Sequence, residues 1–141
     1  MRGIRNRISR EDGVAAVEFA IILPVLALIL FGVLEFGRVW SQYQLYQGAA
    51  REGARCAAVK GDPDQDCEIQ AEIDQSAAPF ETSEDATVQL VGGGGAPNGC
   101  TPETVGEDVQ VSWEQDLEVN IPFWKNVTFS PTIKAVFRCE G

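Results

Sequence analysis

The chain has 141 residues, with 21 acidic and 11 basic side chains, no histidine and a formal net charge of −10. The negative charge is concentrated after residue 61, where 16 acidic residues accompany only three basic ones. Such a surface repels phosphate backbones, which argues against nucleic acid as a partner.

The chain begins with a basic leader that is followed by a long apolar segment. As a helix, residues 14–36 would extend about 34 Å, enough to cross a hydrocarbon core of about 30 Å. Basic residues cluster before this segment, which predicts a single pass through a membrane with a cytoplasmic N-terminus and an exported C-terminal part. The arginines concerned are Arg2, Arg5, Arg7 and Arg10, whereas Arg38 alone follows the segment directly.

A cleaved secretory signal is the competing interpretation of this N-terminus, because an arginine-rich start and an apolar centre are typical of such signals. The apolar run is long for a signal, however, and it contains Glu18. It also ends in Leu34-Glu35-Phe36-Gly37 without a small-x-small cleavage site. These features favour a membrane anchor.

One carboxylate lies within the apolar segment, five residues after a glycine. A charged group near the centre of a bilayer costs about 2.5–3.5 kcal/mol on insertion scales, so Glu18 is a functional candidate. We expect Gly13, Val14, Glu18 and Phe19 to form a processing and assembly signal, although Glu18 could instead extend toward the cytoplasmic interface. Pro24 predicts a kink or a short unwound patch, either as an ordinary membrane proline or with a role in assembly.

The same helix is predicted to continue beyond the membrane, because apolar or small residues recur at spacings of three and four from residue 39 to about residue 59. Ala49, Gly53 and Ala57 are small residues four apart, which let another backbone approach closely. The protein's own sheet is the favoured neighbour of this stripe, and contact with another molecule is the alternative.

Four cysteines lie on the side predicted to be exported. An even number in a small exported domain indicates two disulfides, and we favour Cys56 with Cys67 and Cys100 with Cys139 among the three pairings. A zinc site is the alternative, but the chain has no CxxC pair and no histidine.

The remainder predicts a small α+β domain with an antiparallel sheet of about four strands. Isoleucines at helical spacing indicate a short helix at 67–78, and later segments alternate apolar and polar residues as half-buried strands do. The glycine run 92–95 lacks the motifs of a nucleotide-binding loop. The predicted strands are 87–91, 108–113, 117–121 and 132–138.

Asp62, Asp64 and Asp66 are a weak candidate for calcium binding, because hard oxygen ligands at alternate positions can converge on one ion. A helix-loop-helix calcium site requires Gly where Cys67 stands and Glu where Ile73 stands. A solvated loop is therefore favoured, and we expect no metal and no cofactor.

Five aromatic residues are predicted to contribute to the core of the exported domain. An exposed turn at 122–125 is also expected, where a tryptophan could contact a partner. No GxSxG motif or paired-carboxylate signature stands out, so we expect no enzymatic activity. The aromatic residues are Trp113, Phe123, Trp124, Phe129 and Phe137.

The N-terminal motifs together resemble those of the TadE-like proteins. The resemblance rests on the Gly13 and Glu18-Phe19 spacing, on Pro24, on the Glu-Phe-Gly-Arg motif at 35–38 and on the Ala-Arg-Glu-Gly-Ala-Arg motif at 50–55. It covers roughly a third of the chain, from residue 13 to about residue 55.

TadE-like proteins are pilin-like subunits of tight-adherence systems, which build type IVb (Flp) pili for surface adhesion. The resemblance implies a minor pilin or pseudopilin, with the inner membrane, other pilin subunits and the pilus assembly machinery as partners. It also implies cleavage by a prepilin peptidase between Gly13 and Val14, which makes Glu18 the fifth residue of the mature chain. The predicted organisation is a leader at 1–13, a helix at 14–60 and an exported domain at 61–141.

The resemblance gives Glu18 and Pro24 a role in assembly. After cleavage, Glu18 could neutralise the N-terminal ammonium of a neighbouring subunit in an apolar filament core, where paired charges cost less than a lone one. The alternative function is a membrane-anchored exported binding module that does not polymerise.

Overall fold

The computed structural model describes residues 10–59, 67–92, 94–95, 99–121 and 125–140, with side chains from residue 13 onward. Within these ranges the chain forms two helices and six strands. They are α1 (Arg10–Val59), α2 (Ile69–Ala77), β1 (Thr87–Leu90), β2 (Gly94–Gly95), β3 (Asp108–Glu114), β4 (Leu117–Val119), β5 (Val127–Phe129) and β6 (Thr132–Arg138).

Helix α1 has 50 residues, so it is about 75 Å long. It begins four residues before the predicted helix and stays helical through Pro24, so the predicted unwound patch is wrong. A proline inside a helix removes one backbone donor, and the intact turns on both sides continue the helix past it.

A four-stranded antiparallel sheet has the order β2-β1-β3-β6. Alternate residues of β3 are buried against the helices, namely Val109, Val111 and Trp113, as a period of two requires. The number of strands matches the prediction, but the composition differs, because the two-glycine strand β2 takes the place expected for 117–121. Glycines carry no alternating pattern and therefore gave no strand signal.

The predicted strand 117–121 is shorter and belongs to a second sheet, in which β4 pairs with β5. Leu117 pairs with Phe129 in the same register that pairs β3 with β6, so β3-β4 and β5-β6 form one long hairpin with an interruption. At the interruption, the Gln115 N–H donates to the Pro131 carbonyl at 3.1 Å. Pro131 has no N–H to return that bond, which explains the break in the ladder. We call β4 and β5 the hairpin arm.

The core lies between the second half of α1, helix α2 and the inner face of the sheet. At Gly53, an added Cβ would lie 2.5 Å from Cγ1 of Ile73, so α2 crosses α1 at the glycine. The neighbour there is α2 and not the predicted sheet. Buried residues include Val39, Tyr46, Ala49, Ala50, Ala54, Ala57, Ile69, Ile73, Ala77, Val109, Val111, Trp113 and Ile133.

The prediction of an aromatic core is correct for Trp113, which is buried, and wrong for Phe129 and Phe137, which are 43% and 39% exposed. Both phenylalanines lie on strands at the edges of their sheets, and no described segment of the chain covers them fully. Phe123 and Trp124, with the predicted turn at 122–125, fall wholly or partly outside the described residues.

Cys56 is bonded to Cys67, and Cys100 to Cys139, the pairing favoured from the sequence. The backbone N–H of Cys100 donates to the carbonyl of Ala57 at 2.8 Å, which ties the second disulfide to the end of α1. The first disulfide joins the segment before α2 to the end of α1. The second joins the segment before β3 to the segment after β6, close to the same end of α1.

The calcium candidates Asp62, Asp64 and Asp66 lie outside the described residues, as do Arg2, Arg5 and Arg7 of the leader. In the part of the chain that is described, no cluster of acidic or cysteine side chains is arranged to hold a metal ion.

Candidate functional site

The predicted processing segment lies near the start of α1. A Cβ added at Gly13 would meet nothing within 4 Å, and Val14 and Phe19 are largely exposed. The chain therefore packs nothing of its own, among the described residues, against the predicted cleavage position.

Glu18 projects from the same exposed part of α1. It follows Val14 by one helical turn, or about 6 Å along the axis, so the two side chains share a face. Among the described side chains, none forms a hydrogen bond or ion pair with Glu18. An acidic group on an apolar helix is thus left available to a group outside this chain.

An uninterrupted apolar surface surrounds Glu18. Every large hydrophobic side chain from Val14 to Phe36 is between 46% and 69% exposed. Monomeric soluble proteins rarely expose an apolar surface of this extent. Within the described ranges α1 is the one helix long and apolar enough to cross a membrane, and this N-terminal apolar helix suggests a membrane anchor.

A polar cluster lies where the apolar segment ends, and it joins α1 to the hairpin arm. Arg38 donates to both oxygens of Glu35, through Nη2 to Oε1 at 2.5 Å and through Nε to Oε2 at 3.0 Å. Nη2 of Arg38 also donates to the Glu118 carbonyl at 2.7 Å, and the Asn120 N–H donates to Oε1 of Glu35 at 2.7 Å. The Glu35 carboxylate raises the pKa of Arg38, so the guanidinium stays charged.

The sequence named Glu35 and Arg38 only as part of a motif and did not predict this cluster. Their partners lie 80 or more residues away in the chain. No local pattern marks Glu118 or Asn120, because both contribute backbone groups that every residue possesses.

An apolar groove of about 770 Å³ lies beside the polar cluster, between α1 and the hairpin arm. The helix wall carries two stacked rings, Phe36 and Trp40, with centroids 6.1 Å apart. We call this space the apolar groove. Its residues are Leu28, Gly32, Glu35, Phe36, Val39, Trp40, Tyr43, Val119, Asn120, Ile121, Phe129 and Pro131.

The small-residue motif at 50–55 has an internal role. Ala50, Gly53 and Ala54 are buried against the α+β domain, whereas Arg51 and Arg55 are exposed. The motif therefore lets α2 and the sheet approach α1 closely while its charged residues remain in solvent.

The family model described as TadE-like protein matches residues 13–55. This segment is TadE-like. The match includes Gly13, Glu18, the helix half of the polar cluster and the small-residue motif, as the sequence motifs predicted. Neither a curated protein nor a solved structure matches the chain.

The TadE-like family suggests a Tad pilus-associated, minor pilin-like protein, which is structural and not enzymatic. Residues 56–141 lie outside the match, so the family resemblance describes the long helix and leaves most of the α+β domain to be interpreted from its own structure.

Proposed function

We propose that the chain is a minor pilin or pseudopilin that takes part in assembling a type IVb (Flp/Tad) pilus for surface adhesion. Residues 1–13 form a cytoplasmic leader, 14–60 a helix whose first part to residue 36 spans the inner membrane, and 61–141 an exported domain. The observation that carries the proposal is Glu18, a carboxylate with no partner among the described side chains, which lies on an exposed apolar helix five residues after Gly13.

Cleavage gives this carboxylate a partner. Hydrolysis of the Gly13–Val14 bond by a prepilin peptidase adds one water molecule and leaves a carboxylate on Gly13 and an ammonium on Val14. Within one chain the new ammonium and Glu18 are one helical turn apart. In an assembly, Glu18 of one subunit pairs with Val14 of the next, and breaking such a pair in an apolar setting leaves a costly lone charge. This selects for neighbouring subunits in register.

Processing is tested by sequencing the N-terminus of the membrane-extracted protein, which should begin at Val14. In Gly13→Leu the leader should remain and give a heavier, slower-migrating band. Gly37→Leu is the matched control, because both glycines are helical and neither has an atom near its added Cβ. Equal migration of both variants and the wild type would count against cleavage at this position.

Assembly is tested separately with Glu18→Gln, which keeps the shape of the side chain and removes its charge. The variant should insert into the membrane normally and yield fewer pili. Glu52→Gln, at an exposed carboxylate in the later half of α1, should leave the pilus number unchanged. Wild-type piliation in Glu18→Gln would argue against the pairing role, whatever the processing result.

The two tests also decide between the proposal and a non-polymerising binding module. A chain that retains Met1 and never cross-links to a second pilin subunit would be a membrane-anchored module and not a pilin.

A further inference from the structure

The hairpin arm points toward the membrane. Glu118 is bonded at the level of Arg38, and Asn120 is bonded at the level of Glu35. The strand therefore moves toward the N-terminus of α1 as its residue number rises, opposite to the direction of the helix. Ile121 comes next along this path and lines the apolar groove together with Gly32.

The length of α1 places the lower part of the groove within the bilayer. A helix rises about 1.5 Å per residue, so a hydrocarbon core of about 30 Å that begins at Val14 extends to roughly residue 34. If the bilayer ended below the groove, at Leu28, only about 21 Å of helix would remain after Val14, too little to cross it. Leu28 and Gly32 are therefore at the depth of lipid tails, and the end of the arm lies beside them.

The arm is suited to that depth. Ile121 is 40% exposed, although it is a large apolar residue. The polar backbone groups nearest the helix are bonded within the polar cluster, as groups next to hydrocarbon must be. The helix wall of the groove also continues without a break into the apolar surface of the span.

We propose that the hairpin arm is a membrane-docking element: Ile121 enters the leaflet on the exported side, and a lipid acyl chain fills the part of the apolar groove that is lined by Leu28, Gly32 and Ile121. The polar cluster then lies at the level of the headgroups. This inference rests on the membrane anchor of the proposed function and assigns the arm a lipid partner. A lipid is the occupant because the floor of the groove is part of the lipid-facing surface of α1.

The test measures the depth of single fluorophores in the full chain, with one copy in each lipid nanodisc of phosphatidylcholine and phosphatidylglycerol. All four cysteines are in disulfides, so an introduced cysteine is the single free thiol. A thiol-reactive fluorophore is attached at Ile121→Cys. Lipids that carry a nitroxide on the acyl chain quench a fluorophore that touches the hydrocarbon.

Two further positions calibrate the measurement. Leu28→Cys reports the span itself. Val105→Cys is an exposed position next to Gly106, whose N–H donates to the carbonyl of Cys139 near the far end of α1. That end, at Ala58, lies about 36 Å beyond residue 34 along the helix, so no quenching by lipid is expected there.

Quenching at Ile121 should be several-fold greater than at Val105 and should approach that at Leu28. Quenching at Ile121 as low as at Val105, with Leu28 fully quenched, would overturn the docking inference and leave the anchor intact. Low quenching at Leu28 would overturn the anchor itself and the inference with it. A second set of nanodiscs holds two copies of the chain each. If quenching at Ile121 is lost there, a second chain and not a lipid fills the groove, and the proposal is wrong.

Discussion

Replacing Gly53 with alanine tests the close contact between α1 and α2. The new Cβ would lie 2.5 Å from Cγ1 and 2.7 Å from Cδ1 of Ile73, well inside contact distance. Ile73 is fully buried and branched at Cβ, so its side chain has few rotamers into which it can retreat. Overpacking of this kind costs about 1–3 kcal/mol, whereas alanine gains about 1 kcal/mol over glycine in a helix. The variant should lose up to about 2 kcal/mol.

Gly48→Ala is the matched control. It lies in the same helix, is exposed, and has nothing within 4 Å of its added Cβ. Only the helix propensity changes there, so this variant should gain up to about 1 kcal/mol. The two glycines are thus expected to shift stability in opposite directions.

The assay is thermal unfolding of the full chain in detergent, followed by near-ultraviolet circular dichroism, which reports packing around Trp113 in the exported domain. One kcal/mol corresponds to roughly 4–8 °C in a domain of this size. The cost of Gly53→Ala should also shrink in an Ile73→Ala background, where the clashing atoms are absent. A gain of stability at both glycines, or an equal cost in both backgrounds, would refute the packing argument.

Two other predictions concern the exported domain. In the loop-entropy model, the Cys100–Cys139 disulfide, with a separation of 39 residues, contributes about 3.9 kcal/mol and Cys56–Cys67, with a separation of 11, about 2.8 kcal/mol. Replacing the first pair with alanines should therefore lower the unfolding midpoint in urea more than replacing the second, and the reverse order would contradict the model. Burial raises the pKa of Tyr46 above 10, so the folded state holds that proton more tightly and the free energy of unfolding should fall as the pH rises past 10. Tyr46→Phe should reduce this fall, as measured by urea unfolding at pH 8 to 11, and an identical pH dependence in Tyr46→Phe and the wild type would contradict the prediction.

The sequence predicted the structure best where a single hydrophobic periodicity, or a uniform apolar composition, extends over a long segment. The apolar run and the small-residue spacing predicted α1 to its last turn, and alternation predicted β3 and β6 closely. The α+β class with a four-stranded antiparallel sheet is confirmed. These elements are determined by residues close together in the chain.

The sequence was least informative where contacts between distant segments decide the outcome. Gly94 and Gly95 form a strand because they pair with β1 through backbone hydrogen bonds, and no side-chain pattern predicts this pairing. The interruption at Pro131 moves β4 out of the main sheet toward α1. The polar cluster depends on backbone groups of Glu118 and Asn120, which a sequence cannot distinguish from any other. Gly13 and Glu18, by contrast, were candidates from their spacing alone, and their roles remain predictions.

The continuity of α1 has a mechanical consequence. The helix runs from Arg10 to Val59 without a break, and the second disulfide, α2 and the polar cluster fix the folded domain to it at several heights. Helix and folded domain therefore rotate as one rigid unit. A rotation of α1 about its axis turns the sheet through the same angle, so copies of the chain related by a rotation would present the outer faces of their sheets at successive angles.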